Sequence, residues 1–186
     1  GAKRAYNGKP LTAEGTITGF VNGETAKFTV TGSQTTVGQS QNTYNIDWKA
    51  KDTTAKKGNY TISEDLGDLV VTQFAEKITV TTTGGKFTYD GNAHGATVAV
   101  TGLPAGYTVE TATSDATATD VTEKAVKAEC DHLVIKDDQG KDVTSELNVD
   151  YKAGTIQINP ATLTVKTEGA KRAYNGKPLT AEGTIT

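Results

Sequence analysis

Residues 1–18, GAKRAYNGKPLTAEGTIT, recur letter for letter as residues 169–186. Eighteen unbroken matches do not arise by chance, and two segments drifting independently would not stay identical. The chain therefore reads as one period of 168 residues, plus an overlap, taken from a longer array of near-identical copies. In such arrays each unit touches only its neighbours, so the whole is an extended object. That architecture serves reach and multiplicity better than it serves a catalytic pocket.

A weaker repeat lies inside the period. Ile78-Thr-Val-Thr-Thr-Thr-Gly-Gly-Lys-Phe-Thr-Tyr-Asp-Gly91 aligns without a gap on Leu163-Thr-Val-Lys-Thr-Glu-Gly-Ala-Lys-Arg-Ala-Tyr-Asn-Gly176. Each opens on an alternating strand and closes on Asp-Gly or Asn-Gly, which supply the positive φ of tight hairpin turns. Likewise Asn59–Thr72 resembles Glu146–Asn159, and both read as strand, glycine-containing turn, strand. The period thus holds two dissimilar units of about 85 residues. Residues 1–72 form unit A without its first strand, residues 73–160 form unit B, and residues 161–186 carry the first strands of the next copy of A.

Composition supports a β fold. Thr occurs 34 times and Gly 20 times, with one Trp and no Met. β-Branched Thr suits pleated, half-wet surfaces, and no stretch has apolar residues at helical spacing. In unit A the expected strands are Gly15–Phe20, Ala26–Thr31, Thr43–Ala50, Tyr60–Ser63 and Leu69–Thr72. In unit B they are Ile78–Thr83, Ala96–Thr101, Tyr107–Thr111, Lys124–Glu129, Leu133–Lys136, Leu147–Asp150 and Thr155–Ile158. Their spacing and punctuation fit an all-β chain of two tandem immunoglobulin-like sandwich units in an elongated arrangement. A β-grasp-like sheet is the alternative, with Asp120–Glu129 as the segment available for its helix.

Tyr89-Asp90-Gly91 after a Thr-rich strand, Val100-Thr-Gly-Leu103, and Asp138-Gln-Gly-Lys-Asp-Val-Thr144 leading to Gly154-Thr-Ile-Gln-Ile158 resemble bacterial surface repeats of the YDG and MBG type. Unit A is similar through Tyr6-Asn-Gly8 and Thr31-Gly-Ser-Gln-Thr35, although Asn stands for Asp and Lys51-Asp-Thr-Thr54 for the Asp-Val-Thr segment. The resemblance covers nearly the whole chain and implies an extracellular repeat of a large adhesin at the bacterial cell wall or surface. It brings no catalytic residues and no cofactor.

Several residue groups have chemical potential. Cys130 and His132, two apart on a strand, share a face, but no oxyanion-hole signature surrounds them, and a structural thiol is the plainer reading. A lone cysteine also permits no intrachain disulfide. Asp137, Asp138 and Asp142 crowd a glycine turn without the ordered EF-hand spacing; a hairpin turn with solvated acids is the plainer reading, and a weak surface calcium site is the alternative. Lys86 or Lys171 with Asn148 or Asn159 has conceivable isopeptide geometry, which demands a desolvated setting. Tyr44, Ile46 and Trp48 share one face, which reads as the core of unit A or as a glycan platform on Tyr44 and Trp48. His94 follows a turn, has no metal-ligand spacing and reads as solvent-facing.

The net charge of −3 with no long run of either sign gives no basic face for nucleic acid. No apolar run is long enough to enter a membrane as a helix. The expected role is a structural spacer that projects a terminal binding domain, with no enzymatic activity. The alternative is a repeat that binds host glycan or protein through many weak contacts. The expected partners are neighbouring repeats and, through the surplus strands 161–186 and the vacant strand position in residues 1–72, head-to-tail strand complementation between chains.

Overall fold

The computed structural model describes residues 1–180 and Gly183. It is nearly all β. The strands are β1 (Ala2–Ala5), β2 (Lys27–Val30), β3 (Gly38–Gln41), β4 (Tyr44–Asp47), β5 (Asp68–Thr72), β6 (Lys77–Thr83), β7 (Gly85–Thr88), β8 (His94–Gly95), β9 (Thr97–Thr101), β10 (Thr108–Thr113), β11 (Thr117–Ala118), β12 (Val126–Ala128), β13 (His132–Lys136), β14 (Asn148–Lys152) and β15 (Gly154–Asn159). Among the described residues there is no α-helix, and only single 3₁₀ turns occur, at Lys57–Asn59 and Thr144–Glu146. The segment 120–129 holds β12, so the helix needed by the β-grasp alternative is missing.

Strand pairing divides at residues 73–76. β1, β5 and β3 form one ladder set and β2 and β4 another, all within residues 1–72. The remaining sheets, β14-β6-β9, β12-β15-β7, β10-β13 and β11-β8, lie within residues 77–159.

The organising feature of the second half is a long parallel pairing of its first and last strands. β6 pairs with β14 and β7 with β15 in a single register, so that Ile78 faces Val149 and Phe87 faces Ile158. Between the two halves of this pairing the strands change partners: β6 has β9 on its other edge, whereas β15 has β12. The crossing needs glycine on both strands. A Cβ on Gly84 would lie 2.2 Å from the Thr155 carbonyl oxygen, and one on Gly154 would lie 2.5 Å from that of Thr82. The expected strand–turn–strand reading of 146–159 is corrected accordingly. β14 and β15 run on through Ala153 into different sheets, and do not fold back on one another.

The Tyr-Asp-Gly turn is corrected in the same way. Asp90 Oδ1 accepts a bond from the Asn92 amide at 2.9 Å and Gly91 sits at φ +78°. The flanking strands β7 and β8 belong to different sheets, so this is a side-chain-closed corner between sheets and no hairpin.

The first half repeats this plan in part. An ungapped superposition of sequence sets Gly85–Leu103 on Ala2–Phe20, matching Gly91 with Gly8 and Gly102 with Gly19, all four at positive φ. β1 then corresponds to β7, and β5 to β15, and they pair in parallel as those do. Gly1 and Gly67 stand where Gly84 and Gly154 stand, with the same close backbone approach.

Two expected strands of unit A, Gly15–Phe20 and Tyr60–Ser63, are absent. Their counterparts β9 and β14 are held on either side of β6, and among the described residues no strand pairs with either segment in the first half. A strand without a ladder partner leaves its backbone groups to water and loses the contacts that define it.

The core reflects this asymmetry. Ile78 and Val80 of β6 are wholly buried, each stabilising the fold by about 1.5–3 kcal/mol. Between Thr12 and Leu66, by contrast, only Gly32 and Ala55 are buried. The main apolar cluster instead spans the joint: Tyr6, Leu11, Leu69 and Val71 pack with Ile78, Ile135, Val143 and Leu147. Polar contacts brace the same place. The Glu146 carboxylate accepts a bond from the Val37 amide, and its carbonyl accepts one from Phe74 at 2.8 Å.

Candidate functional site

A groove of about 390 Å³ opens in the first half, rimmed by residues 14–20 on one side and 60–67 on the other. Its floor is one face of the β2–β4 ladder. The register sets Phe28 opposite Ile46 and Val30 opposite Tyr44, and period-2 alternation brings Trp48 onto the same face. The aromatic side chains interlock. Phe28 lies 5.5 Å from Tyr44, and Tyr60 lies 5.3 Å from Phe20 and stacks on Trp48 at 6.3 Å between ring centres.

Two phenol–carboxylate bonds fix the 60–67 rim, one to the floor and one to the turn at 21–24. Tyr44 donates to Glu64, and Tyr60 donates to Glu24 at 2.6 Å while accepting from the Val21 amide at 3.3 Å. Donation to the carboxylate raises the pKa of both phenols. Tyr44 and Trp48 are thus half-buried residues of a core face that lacks its cover. They neither fill a closed interior nor stand out as a flat platform. Among the described residues, no backbone group of 14–20 or 61–66 is paired with another backbone group.

No protein-family model, curated protein or solved structure matches this chain.

The other candidates do not assemble into sites. The Cys130 thiol points at the backbone carbonyl of His132, at 3.5 Å, while the His132 ring bonds Asp115 at 3.0 Å. The strand geometry therefore does not deliver a Cys–His pair, and burial raises the pKa of the thiol, which disfavours its reactive form. Asp137 Oδ1 accepts from the amides of Gln139 and Lys141, and Asp142 Oδ1 accepts from the Thr144 amide and hydroxyl. The Thr144 bonds hold the Asp142 carboxyl below the usual range. These acids close their own turns, and among the described residues no three acidic, His or Cys groups converge as a metal site. The calcium reading on Asp137, Asp138 and Asp142 therefore lacks a converging ligand set.

Lys86, Lys171 and Asn159 are exposed, so the isopeptide geometry has no desolvated amine. His94 is corrected from solvent-facing to half-buried: it stacks on Phe87 with ring centres 4.0 Å apart and bonds Asp90 at 3.0 Å.

Phe20, Tyr60, Glu64 and Glu146 were not singled out from sequence. The available signal was the superposition of residues 85–103 on 2–20, which sets Ile17 on Val100 beside a missing strand.

Proposed function

We propose that the chain is a spacer segment of a bacterial surface adhesin, built from two immunoglobulin-like units per period and repeated to hold a terminal binding domain away from the cell. The observation that carries this reading is the joint. Apolar packing from Tyr6, Leu11, Leu69 and Val71 onto Ile78, Ile135, Val143 and Leu147, with the Glu146 bridge across it, resists bending between successive ladder sets. A short, packed connection transmits length, whereas a long polar one would let successive units fold back. The verbatim repeat and the resemblance to YDG and MBG repeats support the array and its location.

With β6 and β7 running on from Lys77 to Thr88, at roughly 3.3 Å per residue one unit extends about 40 Å and one period about 80 Å. Small-angle scattering of proteins with one, two and three periods tests this. The maximum dimension should grow linearly by that increment, and growth as the cube root of mass would remove the proposal. The aromatic groove favours a second reading, in which each period binds host glycan weakly and the array supplies avidity. Titration of the chain with oligosaccharides, read by Trp48 fluorescence, addresses it.

A further inference from the structure

We infer that the outer edge of β3 is a self-pairing surface, and that its partner is β3 of a second copy of this chain, docked antiparallel across a two-fold axis. β3 is the outermost strand of the set β1-β5-β3, and its far side carries no ladder.

The direction of its backbone groups follows from the register. β3 sets Gly38 opposite Val71 and Ser40 opposite Leu69, and the Asn42 amide continues that register onto the Gly67 carbonyl at 2.8 Å. Bonded and non-bonded pairs alternate in an antiparallel ladder, so Gly38, Ser40 and Asn42 bond inwards and Gln39 and Gln41 turn their N–H and C=O outwards. Among the described residues, Gln39 and the Gln41 amide have no backbone partner on that side. The Gln41 carbonyl accepts from the Thr43 amide at 3.0 Å and keeps a second lone pair.

Charge distinguishes this edge from the others. Sheets keep their edges apart with charged side chains. Among the outer strands of the three-stranded sheets, β1 carries Lys3 and Arg4, β7 Lys86, β12 Lys127, and β14 Asp150 and Lys152. The uncharged β9 lies against β10. β3 is Gly-Gln-Ser-Gln, and no charged residue stands anywhere from Phe28 to Ile46. It faces solvent without the usual deterrent.

The sequence is its own complement. A two-fold axis through Ser40 sets Gln39 opposite Gln41 of the second copy and Gln41 opposite its Gln39, so the outward-facing residues become the bonded pairs. Both side chains are exposed and share one face, which places carboxamide beside carboxamide across the axis, as in the amide ladders of stacked strands. The stretch is short, because Glu146 already takes the Val37 amide at one end and the strand stops at Gln41. An isologous contact of this kind closes at two copies. It also sets the two chains running in opposite directions, as stalks from facing cells would, with one weak contact per period adding to the next. That last step alone rests on the spacer array proposed above; the pairing does not.

Sedimentation equilibrium of the full chain from micromolar to millimolar concentration tests the inference. Wild type should pass from monomer to dimer. Gln39→Lys/Gln41→Lys brings lysine against lysine across the axis and should stay monomeric, whereas Gln39→Lys/Gln41→Glu brings lysine against glutamate and should dimerise again. Circular dichroism of all three should agree, since both positions are exposed. Amide exchange at Gln39 and Gln41 should slow with concentration in wild type and stay constant in the Lys/Lys variant. A wild type that is monomeric throughout overturns the inference, as does a Lys/Lys variant that dimerises like wild type or a Lys/Glu variant that does not recover.

Discussion

At Gly84 and Gly154 two backbones approach so closely that a single added carbon meets a carbonyl oxygen at 2.2 or 2.5 Å. These glycines are required by space, and Gly84→Ala should cost about 3 kcal/mol or more, because the obstacle is main chain and cannot turn aside. Gly91 differs. Nothing lies within 4 Å of its missing Cβ, but its φ is +78°, so Gly91→Ala should cost only the left-handed strain of about 1–2 kcal/mol. Urea unfolding of the two variants separates steric from conformational need, and equal losses would contradict the distinction. Tyr6 provides a pH handle at the joint. Burial, then the neighbouring Tyr107, Glu146 and Asp137, push its hydroxyl up to about 12. The folded state therefore holds this proton more tightly than the unfolded chain, whose tyrosine titrates near 10. The contribution is complete below pH about 10 and is lost as pH rises through 12. Tyrosinate absorbance should lose its latest-ionising phenol in Tyr6→Phe; a titration unchanged by that substitution would contradict the assignment.

One sequence occurs twice in this molecule, in two settings, and the comparison separates local from tertiary causes. The Tyr-Asn-Gly corner forms in both copies. Asn7 and Asn175 each accept from the amide two residues on, and Gly8 and Gly176 have φ of +74° and +73°, although Tyr6 is buried and Tyr174 is 98% exposed. The strand does not form twice. Ala2–Ala5 is ordered against β5, whereas the same four residues at 170–173, without a partner, have no regular structure. Corners of this kind are thus written locally, while strands here are made by their neighbours. That difference explains what was legible beforehand. Apolar alternation revealed β2, β4, β5 and β6, but β3, Gly-Gln-Ser-Gln, carries no such pattern and is a strand through its pairing with β5. Gly15–Phe20 and Tyr60–Ser63 had the pattern and lacked the partner. Of the groove, the shared face of Tyr44, Ile46 and Trp48 and the missing first strand of unit A were readable, and the contacts of Phe20, Tyr60 and Glu64 along its rim were not, because they belong to the assembled sheet. Hydrogen exchange should find amides 14–20 and 61–66 unprotected and the amides of β9 and β14 that face β6 protected. Equal protection of the two sets would mean that segments 14–20 and 61–66 are paired after all.

Across the whole molecule the two halves share one apolar cluster at the joint, so they should unfold together. Glu146→Ala would remove the bond to the Val37 amide, at a cost of about 0.5–1.5 kcal/mol, and Phe74→Ala would thin the packing beside it. Calorimetry of the double variant should resolve the single transition into two, the first half melting earlier because so little of it is buried. A transition that stays single would place the coupling elsewhere. The parallel pairing of β6–β7 with β14–β15 has a mechanical consequence. The second half is entered at Lys77 and left at Asn159, so tension along the chain drags these two strands lengthwise past each other. Their interstrand bonds are then loaded in shear and share the strain, where a pair peeled from one end would give way bond by bond. Rupture under load is governed by the unfolding rate, and this geometry opposes that step along the very axis on which a tether between two bodies is pulled.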